Sequence, residues 1–227
     1  MSLIIAQGSS ISTTGRAEVT LDTRGATVIY IFGYGVFNVD GTPPDGHDSE
    51  GNVWVGLANP FSTCNGSTGA IRCFNPVTSA AHNFRVQAFT GSFEGVAFTT
   101  QIIVLAFAPT LFGSSYLHRN ADSNKNPVKP GSINVTVDNY VMVTVVQAGC
   151  GLLAPTVDFG FSILETQPNL SAAYAVGTVP MVVDLTWTGL VPIPAQPDPR
   201  GASIVEGFGI YNNQPPLSSN NTRIYEA

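Results

Sequence analysis

At 227 residues with 44% hydrophobic content, the chain is long enough to bury a substantial core. Only 11% of its residues are charged and its net charge is −6, against roughly 25% charged residues in ordinary soluble domains. That balance supplies no basic face to neutralise phosphates, so nucleic acid is not an expected partner.

No basic amphipathic helix is present, and the longest apolar run, near Ile102 to Leu111, is strand-sized. No membrane partner is therefore expected. Lysine occurs only at Lys125 and Lys129. Either Ser, Thr, Asn and Gly cover the surface, or much of it is buried against other copies or a larger assembly. The second is preferred, because interface cores are depleted in charge and especially in Lys.

In chain order, residues 1–14 read as an N-terminal arm or a first edge strand. Their start lacks the charged and apolar regions of a signal peptide, which points to synthesis in a cytoplasm without secretory export. Ala17 to Leu21 alternates apolar with polar, and Thr27 to Tyr34 is nearly continuously apolar, as suits the centre of a sheet. Asp40 to Asn52 reads as a loop. Val53 to Val55, Ala70 to Phe74, Phe84 to Phe89 and Gln101 to Phe107 have strand length and composition.

The polar stretch Arg119 to Pro130 is the best internal boundary, yet the strand pattern resumes after it. Ala17 to Gly35 and Ile133 to Gly149 share one plan: a strand, an Asp-containing turn, then a long β-branched strand closing near Gly. That loose repetition fits two facing sheets. Further strands are expected at Thr156 to Leu164, Leu170 to Val176, Val182 to Trp187 and Ala202 to Tyr211. Four prolines make Val191 to Gly201 an extended loop. No dozen-residue window keeps helical periodicity without Gly or Pro.

The fold expected is all-β: an antiparallel β-sandwich, jelly-roll-like, of about a dozen strands with little or no helix. One domain would span 15–211, with a polar tail at 212–227.

The candidate chemistry is sparse. Asp48, Glu50 and Asn52 alternate, as oxygen ligands of a calcium loop do, but no bidentate Glu closes the loop. The competing reading is a solvated turn ahead of a strand. No cofactor other than that calcium is expected.

Cys64 and Cys73 flank a turn-rich loop, so a disulfide between them competes with free thiols, while Cys150 reads as a buried thiol. His47, His82 and His118 occupy separate turns without short-range partners. No nucleophile elbow and no phosphate loop occurs. Trp54, Trp187, Tyr116 and Tyr211 are the aromatics able to stack on sugars, and the two Trp fit core packing better. Sequons at Asn65, Asn134, Asn169 and Asn220 are what an Asn-, Ser- and Thr-rich chain produces anyway.

Three pieces carry a resemblance: Asp48 to Trp54, the link Phe74 to His82, and the strand Ile102 to Phe107, with Ala202 to Ile210 fitting as well. They resemble β-sandwich structural proteins of tailed bacteriophages, of the capsid-decoration or tail-associated type. The resemblance spans most of 15–211 and supplies no catalytic residues. It implies a non-enzymatic virion protein that docks through apolar surfaces and terminal arms. Its partners would be the major capsid protein or other virion proteins, and a homo-oligomer, such as a trimer, would be natural. The alternative is a carbohydrate-binding or tail-fibre receptor-recognition module, with a hydrolase a distant third.

Overall fold

The computed structural model describes residues 3–35, 45–57, 61–63, 66–88, 92–93, 96–97, 99–108, 112–120, 127–136, 138–148, 151–191 and 201–210. Among them are twenty strands, every ladder antiparallel, and no helix. The chain is an all-β antiparallel sandwich. Its strands outnumber the dozen expected because several are only two or three residues long.

The chain traces two successive circuits. The first holds β1 (Ile4–Ser12), β2 (Arg16–Leu21), β3 (Val28–Gly35), β4 (Asp45–Asp48), β5 (Val55–Gly56) and β6 (Phe61–Thr63). It continues through β7 (Gly66–Phe74), β8 (His82–Gln87), the small pair β9 (Ser92–Phe93) and β10 (Val96–Ala97), and β11 (Thr100–Phe107). The second holds β12 (Phe112–Asn120), β13 (Ile133–Val135), β14 (Tyr140–Ala148), β15 (Leu152–Val157) and β16 (Ser162–Gln167). It closes with β17 (Leu170–Gly177), β18 (Met181–Val183), β19 (Trp187–Leu190) and β20 (Gly201–Ile210).

Each circuit builds an inner and an outer sheet in the strand order of a jelly roll. In the first, β1-β11-β3-β7-β5 forms the inner sheet, with β6 also on β7, and β2-β8-β4 the outer one. In the second, β12-β20-β14-β17-β16 is inner, while β13-β18 and β15-β19 share the outer layer. The single strand β8 thus corresponds to β18 and β19 together. The two segments that repeat in sequence, β2–β3 and β13–β14, hold equivalent places.

The inner sheets pack face to face, so the sandwich has four layers rather than two facing sheets. Val28, Tyr30, Phe32, Ile103 and Leu105 meet Val141, Val143, Val145 and Leu170 across the middle. The other faces of the same strands build two further cores. Ile29, Ile31, Ile102 and Val104 pack on Phe84 and Val86 of the first outer sheet. Met142 and Val146 pack on Val183, Leu185 and Trp187 of the second. Strands β3, β11 and β14 are consequently buried along their whole length. That is the physical reason their sequences are continuous apolar runs instead of alternating ones.

The two circuits are related by an approximate two-fold axis parallel to the strands. In one inner sheet Leu105, Tyr30 and Arg72 lie side by side; in the other, Glu206, Val143 and Tyr174 do. Arg72 meets Glu206, so the rows stack in reversed order. Four residues further along β3, Tyr34 neighbours Gln101, and four along β14, Gln147 neighbours Leu170. Gln101 and Asn169 bond to each other at that level. The central strands therefore run the same way, with their neighbours exchanged.

Several expectations are corrected locally. Residues 45–48, expected in a loop, form β4 on β8; that ladder outweighs the low strand propensity of Asp-Gly-His-Asp. Residues 4–12 take the edge-strand option, zipped along β11. The single strand expected over 156–164 is broken by a turn at Asp158, Phe159 and Gly160, the last two at positive φ. Residues 112–120 add β12, which pairs β20.

Candidate functional site

The stretch the sequence singles out, Asp48 to Trp54, leaves the end of β4 and turns back under β8. Gly51 has φ +72°, the left-handed conformation that lets the chain wrap around the Asp48 carboxylate. Oδ1 accepts the backbone N–H groups of Glu50 (2.9 Å) and Asn52 (3.1 Å). Oδ2 accepts Nδ2–H of Asn52 (2.9 Å) and Nε1–H of Trp54 (3.0 Å). Burial pushes the Asp48 carboxyl up, but the bonds from Asn52 and Gly51 and the nearby His82 outweigh it, leaving it below the usual carboxylate range.

Beneath this turn lies a sealed polar cluster. His82 opens β8 with no exposed surface, and its ring stacks on Phe84 at 4.1 Å. Its Nε2 is 3.6 Å from Asp48 Oδ2, and its Nδ1 is 2.9 Å from the Thr23 hydroxyl. A carboxylate facing Nε2 favours the proton there, so Nδ1 accepts from Thr23. Burial lowers the His82 pKa against the opposing pull of Asp48 and Glu50, which keeps the ring neutral. Thr23 is also fully buried, and its backbone N–H donates to Ser79 O at 3.0 Å.

Asn52 extends the clamp outward. It accepts Val77 N–H at 2.7 Å and donates to Val77 O at 3.0 Å. Glu50 accepts the Ser79 hydroxyl at 2.8 Å and the Ser49 hydroxyl at 3.0 Å. The cluster contains a hydroxyl, an imidazole and a carboxylate, the ingredients of nucleophilic catalysis. Thr23 and His82 have no surface from which a substrate could be reached, so the cluster works as a pin. It joins the 48–54 turn, the Thr23 turn and the start of β8.

The three residues proposed as calcium ligands are thus brought together, with N–H hydrogens aimed at the Asp48 oxygens where a cation would need bare lone pairs. Among the described residues no three His, Cys, Asp or Glu side chains converge as a metal site. Comparison with protein-family models, curated proteins and solved structures gives no significant match.

The other candidates fall apart in space. Cys73 is a buried free thiol on β7, seven residues beyond Gly66, where the pairing with β6 closes, and its Sγ donates to Phe74 O. Cys64, Cys150, Tyr211 and the side chains of Tyr116 and His118 lie outside the described residues. Trp187 is fully buried and donates to the Thr144 hydroxyl, and Trp54 packs edge-on against Phe84. His47 is exposed on β4 opposite Arg85.

Sequence reasoning missed two buried contacts between the circuits. Arg72 pairs with Glu206 beside Tyr30, and Gln101 exchanges two hydrogen bonds with Asn169, at 2.8 and 3.0 Å. The only signal available was a polar residue inside an apolar strand.

Outside, the apolar surface is unusual. Val53, next to Asn52 in the chain, is 82% exposed, and Val77, bonded to the Asn52 side chain, is 60% exposed. In the second circuit Val176, Val179, Met181 and Val182 are exposed along the segment that runs from the end of β17 into β18.

Proposed function

We propose that this chain is a non-enzymatic structural protein of a virus particle, a capsid-decoration subunit that docks on other virion proteins through apolar surface. The observation that carries the reading is the placement of Val53 and Val77. A bonded turn holds both in solvent at 82% and 60% exposure, on a chain with only 11% charged residues. Large apolar side chains on a rigid, charge-poor surface are what a protein-binding face offers. The polar groups of the 48–54 turn and of Thr23 and His82 are consumed internally, which agrees with a scaffold role.

The carbohydrate-binding alternative draws less support, because Trp187 is buried and the Trp54 indole N–H is held by Asp48. Mass spectrometry and electron microscopy of purified particles test the proposal. The chain should be present in stoichiometric copy number on the particle surface, and its absence from particles would overturn the reading.

A further inference from the structure

We infer that β1 is a strand-pairing edge, and that its partner is β1 of a second copy of this chain, joined antiparallel about a two-fold axis. A sheet edge exposes a row of unpaired N–H and C=O groups, and proteins blunt such edges with charge, proline, bulges or brevity. Among the described residues five edge strands have six residues or more: β1, β2, β12, β15 and β16. Four of them are blunted: β2 carries Arg16 and Glu18, β12 carries Arg119, β15 contains Pro155 and β16 contains Glu165. The last three also contain register shifts.

Strand β1 has none of these devices over most of its length. Its nine residues, Ile-Ile-Ala-Gln-Gly-Ser-Ser-Ile-Ser, hold no charge and no proline. Its single register shift lies at the Ile4 end, and Ala6 to Ser12 pairs with β11 without interruption. β11 is its only ladder partner among the described residues.

A second copy fits this edge better than a charged peptide does. Antiparallel self-pairing brings each end of β1 against the opposite end of its copy, with no charge on either strand. On one flank the charges are paired, Arg16 with Glu18 and Arg24 with Asp22; on the other, the Glu165 carboxylate of β16 accepts the Ser9 hydroxyl of β1 at 2.8 Å. Nine residues at about 3.3 Å make an edge about 30 Å long, and β2 and β16 lie about one 10 Å layer to either side. The face so formed is roughly 600 Å² per copy, at the lower end of the range for stable interfaces. Gln7 and Ile11, the latter 46% exposed, are the β1 side chains most open to it.

This inference deepens the structural-protein reading by naming a partner copy, and it is tested apart from that reading. Sedimentation of the purified full chain should show a dimer. Ile11→Lys and Gln7→Lys, both at exposed positions, should each weaken association at least tenfold, while Leu153→Lys, at a 75% exposed position on β15, leaves it unchanged. Hydrogen exchange of the unaltered chain should slow at alternate β1 amides as concentration rises, which needs no variant to fold. A monomer at 100 μM, or a dimer whose association and β1 exchange ignore these changes, overturns the inference. So does β1 protection that appears only when another particle protein is added. A chain missing from particles but dimeric through β1 removes the virion reading alone.

Discussion

Replacing Asp48 by Asn tests whether the 48–54 turn is held by N–H donors rather than by a cation. The change preserves shape and keeps one acceptor oxygen. Oδ1 can still receive the Glu50 and Asn52 backbone N–H groups, but an NH₂ group now stands where Oδ2 received Asn52 Nδ2–H and Trp54 Nε1–H. Flipping the amide only exchanges one pair of losses for the other. Two hydrogen bonds to a charged acceptor disappear, each worth about 1.5–3 kcal/mol. Relaxation of the exposed part of the turn recovers some of this, so a loss of about 3 kcal/mol is expected.

Against a total stability of about 5–15 kcal/mol, that is a large fraction. It corresponds to a fall of roughly 6–12 °C in Tm for a chain of this length. Urea unfolding followed by tryptophan fluorescence and far-ultraviolet circular dichroism measures it. Trp54 is one of only two tryptophans and touches the altered atom. A loss below about 1 kcal/mol would refute the clamp. So would a native midpoint that rises on adding millimolar calcium, since the N–H groups would then have to yield their places.

Three other outcomes follow from the buried polar groups. Arg72→Met or Glu206→Leu alone should cost about 3–5 kcal/mol, because each strands a buried charge, whereas the double variant should unfold near the native midpoint; a double-mutant cycle in urea decides this. The lowered His82 pKa means the folded chain holds fewer protons than the unfolded one just below the ordinary histidine value of about 6.5. Its contribution is complete above that pH and is lost as pH falls below it, so stability should drop between pH 7 and 5 by at most about 1.4 kcal/mol per unit, with a flatter profile in His82→Gln. Sent through a glycosylating compartment, the chain should carry glycan at exposed Asn134 and not at Asn169, whose amide is bonded to Gln101 and to Ala148 O; Asn→Gln variants and glycosidase shifts check this.

The fold was legible where burial on both faces imposes an apolar run, as in β3, β11 and β14. It was also legible as repetition, because β2–β3 and β13–β14 occupy equivalent positions. What escaped was whatever depends on a distant partner. Asp-Gly-His-Asp becomes β4 only because β8 offers a ladder, and the long run at 156–164 breaks because Thr186 N–H caps Asp158 at 2.6 Å. The turn at Asp48 was visible as oxygen-bearing residues at alternate positions. The identity of their partners was not, since Thr23, Val77, Ser79 and His82 come from other turns. His82, a histidine with no neighbour in sequence, turned out to be fully enclosed.

The two-fold relation between the circuits gives the Arg72–Glu206 pair a meaning that neither residue has alone. By that relation Arg72 corresponds to Tyr174 and Glu206 to Leu105. The charged pair on one side of the axis is therefore matched by an apolar pair on the other, and both Leu105 and Tyr174 belong to the central core. If two first circuits faced each other, each Arg72 would be buried against leucine. If two second circuits did, each Glu206 would be buried against tyrosine. Stranding a buried charge costs several kcal/mol, and two would be stranded in either wrong pairing. The central apolar face by itself would accept any of the three pairings. The ion pair admits only first against second, so the polar residues most costly to bury make the duplicated sheets unlike and direct them to one another within the chain.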